Sequence, residues 1–505
     1  MLLLHHGQAD GGCRAHFLNK ILLTSHFWWA EFKEGLSFGT FWLQKTIGIE
    51  RTQAMQNSIQ MELLAATAES GFSLDELVFK LKELMHEKGM AGVVGLILQI
   101  LDENLCVSIC RHSSTWTPPA CCSEPRYEHL DRRTRSIRTS VGKLQFQWRR
   151  LRCKQCGKTL LPLRSFLGLE PHQAKTSELE KIVVEVVSEQ SYRRSSKHLK
   201  TIGEIPVPKS TAHRWIAQSD CDETDSGIGT FGLLLADGTG YKRRPDESTA
   251  INNRGEVRIA FGVENTGQIA ALGAWSGESW ETIAKQIQGK RDKNTPVAEM
   301  LVSDGECGLI ESLGKLCGDQ QRCHWHGVRD VNYTMWQDNA PLNERKEIQH
   351  ELAGIIGIEL PEEDFDKVSP DDKAALAQAV TEAEQKVDTL WKRLLMKGYS
   401  EASSYVAKMS GQLFSYVRRW LETGLVSPRA ASWIERVMRE IARRLKRMAF
   451  GWSEQGAAKM ARIILKRFTS AAAWEKYWKK KLRIEDNVVW MLRSIKAVSP
   501  PNMGR

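Results

Sequence analysis

The sequence predicts a multidomain α/β protein, and three observations carry that expectation. At 505 residues the chain is long for a single core. Residues 230–335 alternate strand-like and helix-like runs, whereas 336–426 read as almost wholly helical. Ahead of both lie a Cys-x2-Cys-Gly turn and two short helical patterns split by Gly and Pro. Hydrophobic residues at 42% and charged residues at 26% are ordinary for a soluble globular chain. Eleven cysteines without an export signal read as reduced thiols or metal ligands in a cytoplasmic protein.

From the N-terminus, residues 1–54 have weak periodicity and are expected to be a loosely ordered arm or an over-extended start. Residues 55–105 read as a helical segment, with Ser73 and Glu76 spaced as a capping box. Its apolar run Met90–Leu101 is too short to span a bilayer, so no membrane partner is expected.

Residues 106–170 form a basic, zinc-ribbon-like module. Cys153-x2-Cys156-Gly157 supplies two thiolates across a turn that glycine lets close around a tetrahedral ion. Its partner knuckle is open between Cys121 with Cys122 and Cys110 with His112. Residues 171–220 have the length and punctuation of a helix-turn-helix. There Lys209, Ser210, Thr211, His213 and Arg214 would face the major groove, and Ala212, Trp215 and Ile216 would pack inward.

Charge is sorted along the chain. Arg132 to Arg164 holds 11 Lys/Arg and no acid, Arg149, Arg150 and Arg152 among them. Arg436 to Arg483 holds 15 Lys/Arg against three acids, whereas Glu359 to Asp388 holds ten acids and three lysines. Phe146, Trp148, Trp474, Tyr477 and Trp478 interleave with the basic blocks. With a net charge of +10, the pattern suits a nucleic-acid partner.

From residue 228 the order is three strands, a helix, a strand, a helix and a short strand ("QRCHWHG"), which is a ribonuclease-H-like arrangement of 228–335. Such a core needs carboxylates on its first strand, at the end of its fourth, and on a later helix. Asp237 in "LLLADG" and Asp304 in "MLVSDG" stand at the first two places. The helical insertion 336–426 precedes the closing helices of 427–500, where Ser427 is expected as N-cap and Pro428 at the first helical position. Glu435, Arg439, Arg443 and Lys446 recur along one helix face; alone they read as an exposed Glu–Arg pair, and with the two aspartates as a metal-binding carboxylate with guanidinium groups beside it for a DNA backbone.

Taken together, "SDGECGL", "QRCHWHGVR" and "WIERVMREIARRLKRMAFGWSEQGA" resemble insertion-sequence DDE transposases, the mutator-like group, from roughly Cys106 onward. The gaps, 304 − 237 − 1 = 66 and 435 − 304 − 1 = 130 residues, match a group with a long helical insertion before its glutamate. The resemblance implies that Asp237, Asp304 and Glu435 are the catalytic triad, holding two Mg²⁺ ions for which Mn²⁺ can substitute. It implies site-shaping roles for Cys323 and His326; the chain departs from the family at the first zinc knuckle, and the residues themselves offer zinc a ribbon site at Cys153 and Cys156.

It further implies binding of double-stranded DNA at element ends and in the target, hydrolysis followed by strand transfer, a homodimer or higher homo-oligomer, and a cytoplasmic, nucleoid-associated location. Cys307, Cys317, Cys323 and His326 could alternatively ligate zinc, but the short strand carrying Cys323 and His326 lies beside the expected carboxylates. Two rivals stay open: a non-catalytic DNA-binding regulator derived from a transposase, and a ribonuclease-H-like nuclease that cleaves without joining.

Overall fold

The computed structural model describes residues 22–23, 39–51, 55–67, most of 89–224, 229–244, 254–292, 295–447 and 450–483, the strands 489–491 and 495–497, and scattered positions between 73 and 85. Two units are distinguished, residues 1–176 with 482–505 and residues 177–481.

In the first unit, Gly39–Arg51 and Met55–Thr67 pair antiparallel along their length. This differs from the helix expected after Met55. The sequence there alternates Ile59, Met61 and Leu63 with Gln60 and Glu62, and a two-residue period outweighs helical propensity. The expected arm 1–54 otherwise lies mostly outside the described residues, whereas the Ser73 hydroxyl does accept the Glu76 N–H at 3.0 Å.

Helix α1 (Met90–Cys110) extends the apolar run to 21 residues, enough by length and composition to cross a membrane. Long core helices share that length and composition, and α1 carries an acid on a packed face. The buried carboxylate of Asp102 accepts the Arg149 N–H at 2.8 Å from the hairpin that follows. That hairpin, β1 (Tyr127–Thr139) and β2 (Gly142–Cys153), packs Ile137, Leu144, Phe146 and Trp148 against Ala91 and Leu105 of α1. A short strand, β3 (Thr159–Leu160), completes the sheet, and the helix α2 (Pro162–Leu167) follows it.

The second unit begins with three helices, α3 (Ser177–Glu189), α4 (Tyr192–Thr201) and α5 (Lys209–Gln218). A five-stranded mixed sheet follows. Strands β4 (Phe231–Lys242), β5 (Arg254–Val263) and β6 (Ile269–Ser276) form the antiparallel meander expected from their turn chemistry. After α6 (Trp280–Gln288), capped by Ser279, strand β7 (Ala298–Ser303) pairs parallel to β4. Helix α7 (Cys307–Leu313) leads to β8 (Cys317–Arg322), parallel to β7 at the edge, so the order is β8-β7-β4-β5-β6.

Residues Cys323 and His326, expected on a short strand, instead cap and open helix α8 (His324–Gln337). The strand ends at Arg322 because the helical ladder starts at Cys323, whose carbonyl accepts the Gly327 N–H at 2.9 Å.

Four helices then build a separate apolar core: α9 (Leu342–Ile356), α10 (Pro370–Met396), α11 (Ser400–Met409) and α12 (Ser415–Thr423). Leu352, Val387, Leu394, Val406 and Phe414 are sealed within it. Helix α13 (Ser432–Leu445) returns to pack on β4, and α14 (Glu454–Thr469) covers β5 and β6, followed by α15 (Ala471–Leu482). Helix α13 begins four residues later than Pro428, with Ala431 as N-cap. Ser427 is buried upstream, where its hydroxyl accepts from the Arg419 guanidinium at 2.7 Å.

Candidate active site and cysteine cluster

Parallel register brings the two aspartates level. Leu235 on β4 pairs with Val302 on β7, and Asp237 and Asp304 each stand two residues further along. Neighbouring strands are about 4.8 Å apart, so the two carboxylates stand side by side on adjacent inner strands of the sheet. Asp237 lies within its strand, which continues to Lys242, whereas Asp304 follows the last residue of β7.

Burial and the nearby Asp304, Glu435 and Glu306 charges raise Asp237 to about 7, although its carboxylate accepts the Gly238 N–H at 2.6 Å. Asp304 accepts the Glu306 N–H at 3.0 Å. Gly305 between them has φ of +89°, and a Cβ there would lie 0.6 Å from the buried Arg322 guanidinium. The Asp-Gly pair thus needs glycine both for the left-handed backbone and for space.

Glu435 arrives from α13 across the helical insertion. The return is pinned where the Ala431 N–H donates to Cys323 Sγ at 3.2 Å and the His324 N–H donates to Arg429 O at 2.9 Å. Cys323 is fully buried and its thiol is pushed up by burial. His326 stands with its Nδ1 3.9 Å from Glu435 Oε1. The sulfur of Cys323, a ring nitrogen of His326 and a carboxylate oxygen of Glu435 lie within 4.8 Å of one another. Among the described residues, Cys307 and Cys317 stay outside this group: Cys307 opens α7 and Cys317 opens β8. The two histidines have separate tasks. Burial lowers His324 to about 4, and its Nε2 lies 2.7 Å from Leu413 O of the insertion, so this ring ties the insertion to the sheet edge.

The donor chemistry divides in two. Asp237 and Asp304 offer hard oxygens with uncompensated negative charge, which suits Mg²⁺. Cys323 and His326 offer softer atoms beside Glu435.

One face of α8 escaped the sequence reading. Trp325, Arg329, Tyr333 and Trp336 follow the i, i+4, i+8, i+11 spacing. Trp325, Tyr333 and Trp336 are more than half exposed beside His326, and Arg329 lies over the Trp325 ring at 4.7 Å while also bonding Asp330. The helical spacing was the signal.

The expected recognition helix α5 exposes Lys209, Ser210, His213 and Arg214, half-exposes Thr211, and buries Ala212, Trp215 and Ile216. Elsewhere several expected DNA contacts are already engaged. Arg149 pairs with Glu103 at 2.7 Å and Arg150 with Asp131 at 2.5 Å, leaving Arg152 exposed. Arg443 pairs with Glu189 and Glu440 and so ties α13 to α3, while Arg439 is exposed. Phe146, Trp148, Trp474 and Trp478 are buried and unavailable for stacking on bases.

In the first unit, Cys121, Cys122, Cys153 and Cys156 bring their sulfurs within 4.8 Å of one another, so the adjacent pair supplies the partner knuckle rather than Cys110 and His112. Gly157 closes the turn at φ +72°. Backbone N–H groups, that of Cys156 foremost, hold the Cys153 thiol down at about 6, whereas burial pushes Cys122 up to about 12. Four thiols at this spacing fit tetrahedral zinc.

No known family model matches the chain, and no curated protein matches it. Among solved structures, a Drosophila P element transposase strand transfer complex matches at 12% identity and a TM-score of 0.24, covering 62% of this chain and 82% of that one. At that score the likeness carries no weight for fold or activity.

Proposed function

We propose that this protein is a DDE-type transposase of an insertion sequence, a Mg²⁺-dependent polynucleotidyl transferase acting on double-stranded DNA. One observation carries the reading: carboxylates from β4, from the end of β7 and from α13 meet beside a sheet in β8-β7-β4-β5-β6 order, although 130 residues separate the last two. That sheet order suits a ribonuclease-H-like core. When bound, Mg²⁺ would activate an attacking oxygen and stabilise the leaving one in an in-line displacement. Asp237 and Asp304 would ligate it, with Glu435 completing the set. Asp304 is oriented by the Glu306 N–H. Element ends would be held by α5 through Lys209, Ser210, Thr211, His213 and Arg214, and Arg152 and Arg439 would contact the backbone. The exposed Trp325, Tyr333 and Trp336 would lie along the DNA near the reacting phosphate. The enzyme would act as a homo-oligomer in the cytoplasm, associated with the nucleoid.

The test uses purified protein, Mg²⁺ and DNA carrying the flanking element ends, with nicks and joined products mapped by sequencing. Strand cleavage and joining at the ends are expected, both lost in Asp237→Asn, Asp304→Asn and Glu435→Gln while end binding persists. Cleavage without joining would favour the nuclease reading, and binding without either would favour a regulator. Wild-type cleavage by Glu435→Gln would remove that residue from the set.

A further inference from the structure

The group formed by Cys323, His326 and Glu435 is unlike the aspartates beside it. A thiol and an imidazole are ligand types of zinc rather than of magnesium, and the carboxylate of Glu435 can serve either ion. Two further observations single it out. His326 is 9% exposed, yet its Nδ1 is buried with no hydrogen-bond partner and stands 3.9 Å from Glu435 Oε1. An orphaned buried ring nitrogen of this kind is unfavourable unless something satisfies it. Cys323 is held rigidly, its sulfur accepting the Ala431 N–H at 3.2 Å and its own N–H bonded to Ser303 at 2.8 Å. These contacts aim the sulfur where α13 delivers Glu435.

We propose that Cys323, His326 and Glu435 form a regulatory site for a borderline-soft divalent cation of the zinc class, whose binding withdraws Glu435 from the magnesium centre and shuts off DNA cleavage. Three protein ligands leave the fourth position to water, so the site is labile rather than structural. Binding releases the Cys323 proton to solvent as the sulfur becomes a thiolate ligand. The inference rests on the proposed transferase for its consequence, not for the metal binding itself.

The experiment uses full-length protein stripped of metal and dialysed against Zn²⁺, with bound zinc measured by elemental analysis. Cys323→Ser and His326→Ala should each bind one equivalent fewer than wild type, while Cys307→Ser and Cys317→Ser bind as many. A Co²⁺ titration reports the same site through its cobalt–thiolate absorption. The part of that band contributed by Cys323 should vanish in Cys323→Ser and persist in Cys307→Ser. Glu435→Gln keeps the side-chain shape on α13 and should weaken Co²⁺ binding without abolishing the thiolate band.

In cleavage assays each protein is compared with its own zinc-free rate. Cys323→Ser should need more than the roughly 100-fold extra Zn²⁺ that loss of a mere supporting residue can demand. Equal zinc and cobalt binding by wild type and Cys323→Ser would overturn the site. Loss of the equivalent in Cys307→Ser as well would reassign it to a structural zinc. If zinc binding follows this pattern but Asp237→Asn still cleaves DNA, the metal site stands and the transferase reading fails. If Asp237→Asn is inactive and the zinc equivalent is unaffected by Cys323→Ser, only this inference fails.

Discussion

Replacing Asp237 by asparagine tests the charge crowding between the two inner strands β4 and β7. Burial and the Asp304 charge lift its folded-state value from 3.8 to about 7. Ionising Asp237 therefore costs folding free energy as pH climbs between those values, and above about 7 the whole cost is present. A difference of about 3 units at about 1.4 kcal/mol each sets a ceiling near 4 kcal/mol. Solvent and counter-ions reduce it, so about 1–3 kcal/mol is expected.

Asparagine keeps the shape and can still accept the Gly238 N–H, which is 2.6 Å from the aspartate oxygen. At pH 8, without divalent cations, Asp237→Asn should melt several degrees above wild type, at about 2–4 °C per kcal/mol. The gap should close toward pH 4, where Asp237 is protonated in the native state. Added Mg²⁺ should raise the wild-type melting temperature and not the variant's, because the ion stabilises only the state that binds it. Differential scanning calorimetry across pH 4–8 with and without Mg²⁺ reads all of this. A variant that melts lower than wild type at pH 8, or that keeps the Mg²⁺ response, would refute the reasoning.

The other predictions concern separate parts of the chain. Removing zinc with a strong chelator should lower the melting temperature of wild type, and Cys153→Ser should bind one zinc equivalent fewer, because four thiols converge there; unchanged melting with the chelator would leave the cluster metal-free. Lys209→Ala with Arg214→Ala should weaken end binding and flatten its log–log salt dependence by about 0.9 per lost phosphate contact; an unchanged slope in filter binding would place the DNA elsewhere. Gly305→Ala should destabilise by roughly 1–3 kcal/mol in chemical denaturation, since its backbone is left-handed and the added Cβ meets Arg322 at 0.6 Å; a neutral change would mean that Arg322 yields without cost.

Much of the fold could be read from local pattern. The meander, the Ser279-capped helix and the Asp304 strand all fell where the apolar periods and turn residues put them. Expectation failed where two local signals competed. Met55–Thr67 satisfies a strand period as well as helical propensity, and "QRCHWHG" contains a strand end and a helix start within seven residues. The pairing of Asp237 with Asp304 was within reach because each closes an apolar run before glycine, and parallel neighbours then align.

By itself the sequence determined the alternation of elements, the two aspartates on neighbouring strands each closing an apolar run before glycine, and the exposed and buried faces of α5. These follow from periods of two and 3.6 residues, which need only a few neighbours along the chain. Tertiary structure alone decided which charges were free. Nothing local reveals that Arg150 meets Asp131, that Arg443 meets Glu189 from 254 residues away, or that Trp148 and Trp478 are sealed in cores. It also decided that Cys323 takes an N–H from Ala431, 108 residues on, and so brings Glu435 to His326. The partner of a charge or thiol is chosen by what packs against it, and packing joins segments that periodicity treats as independent.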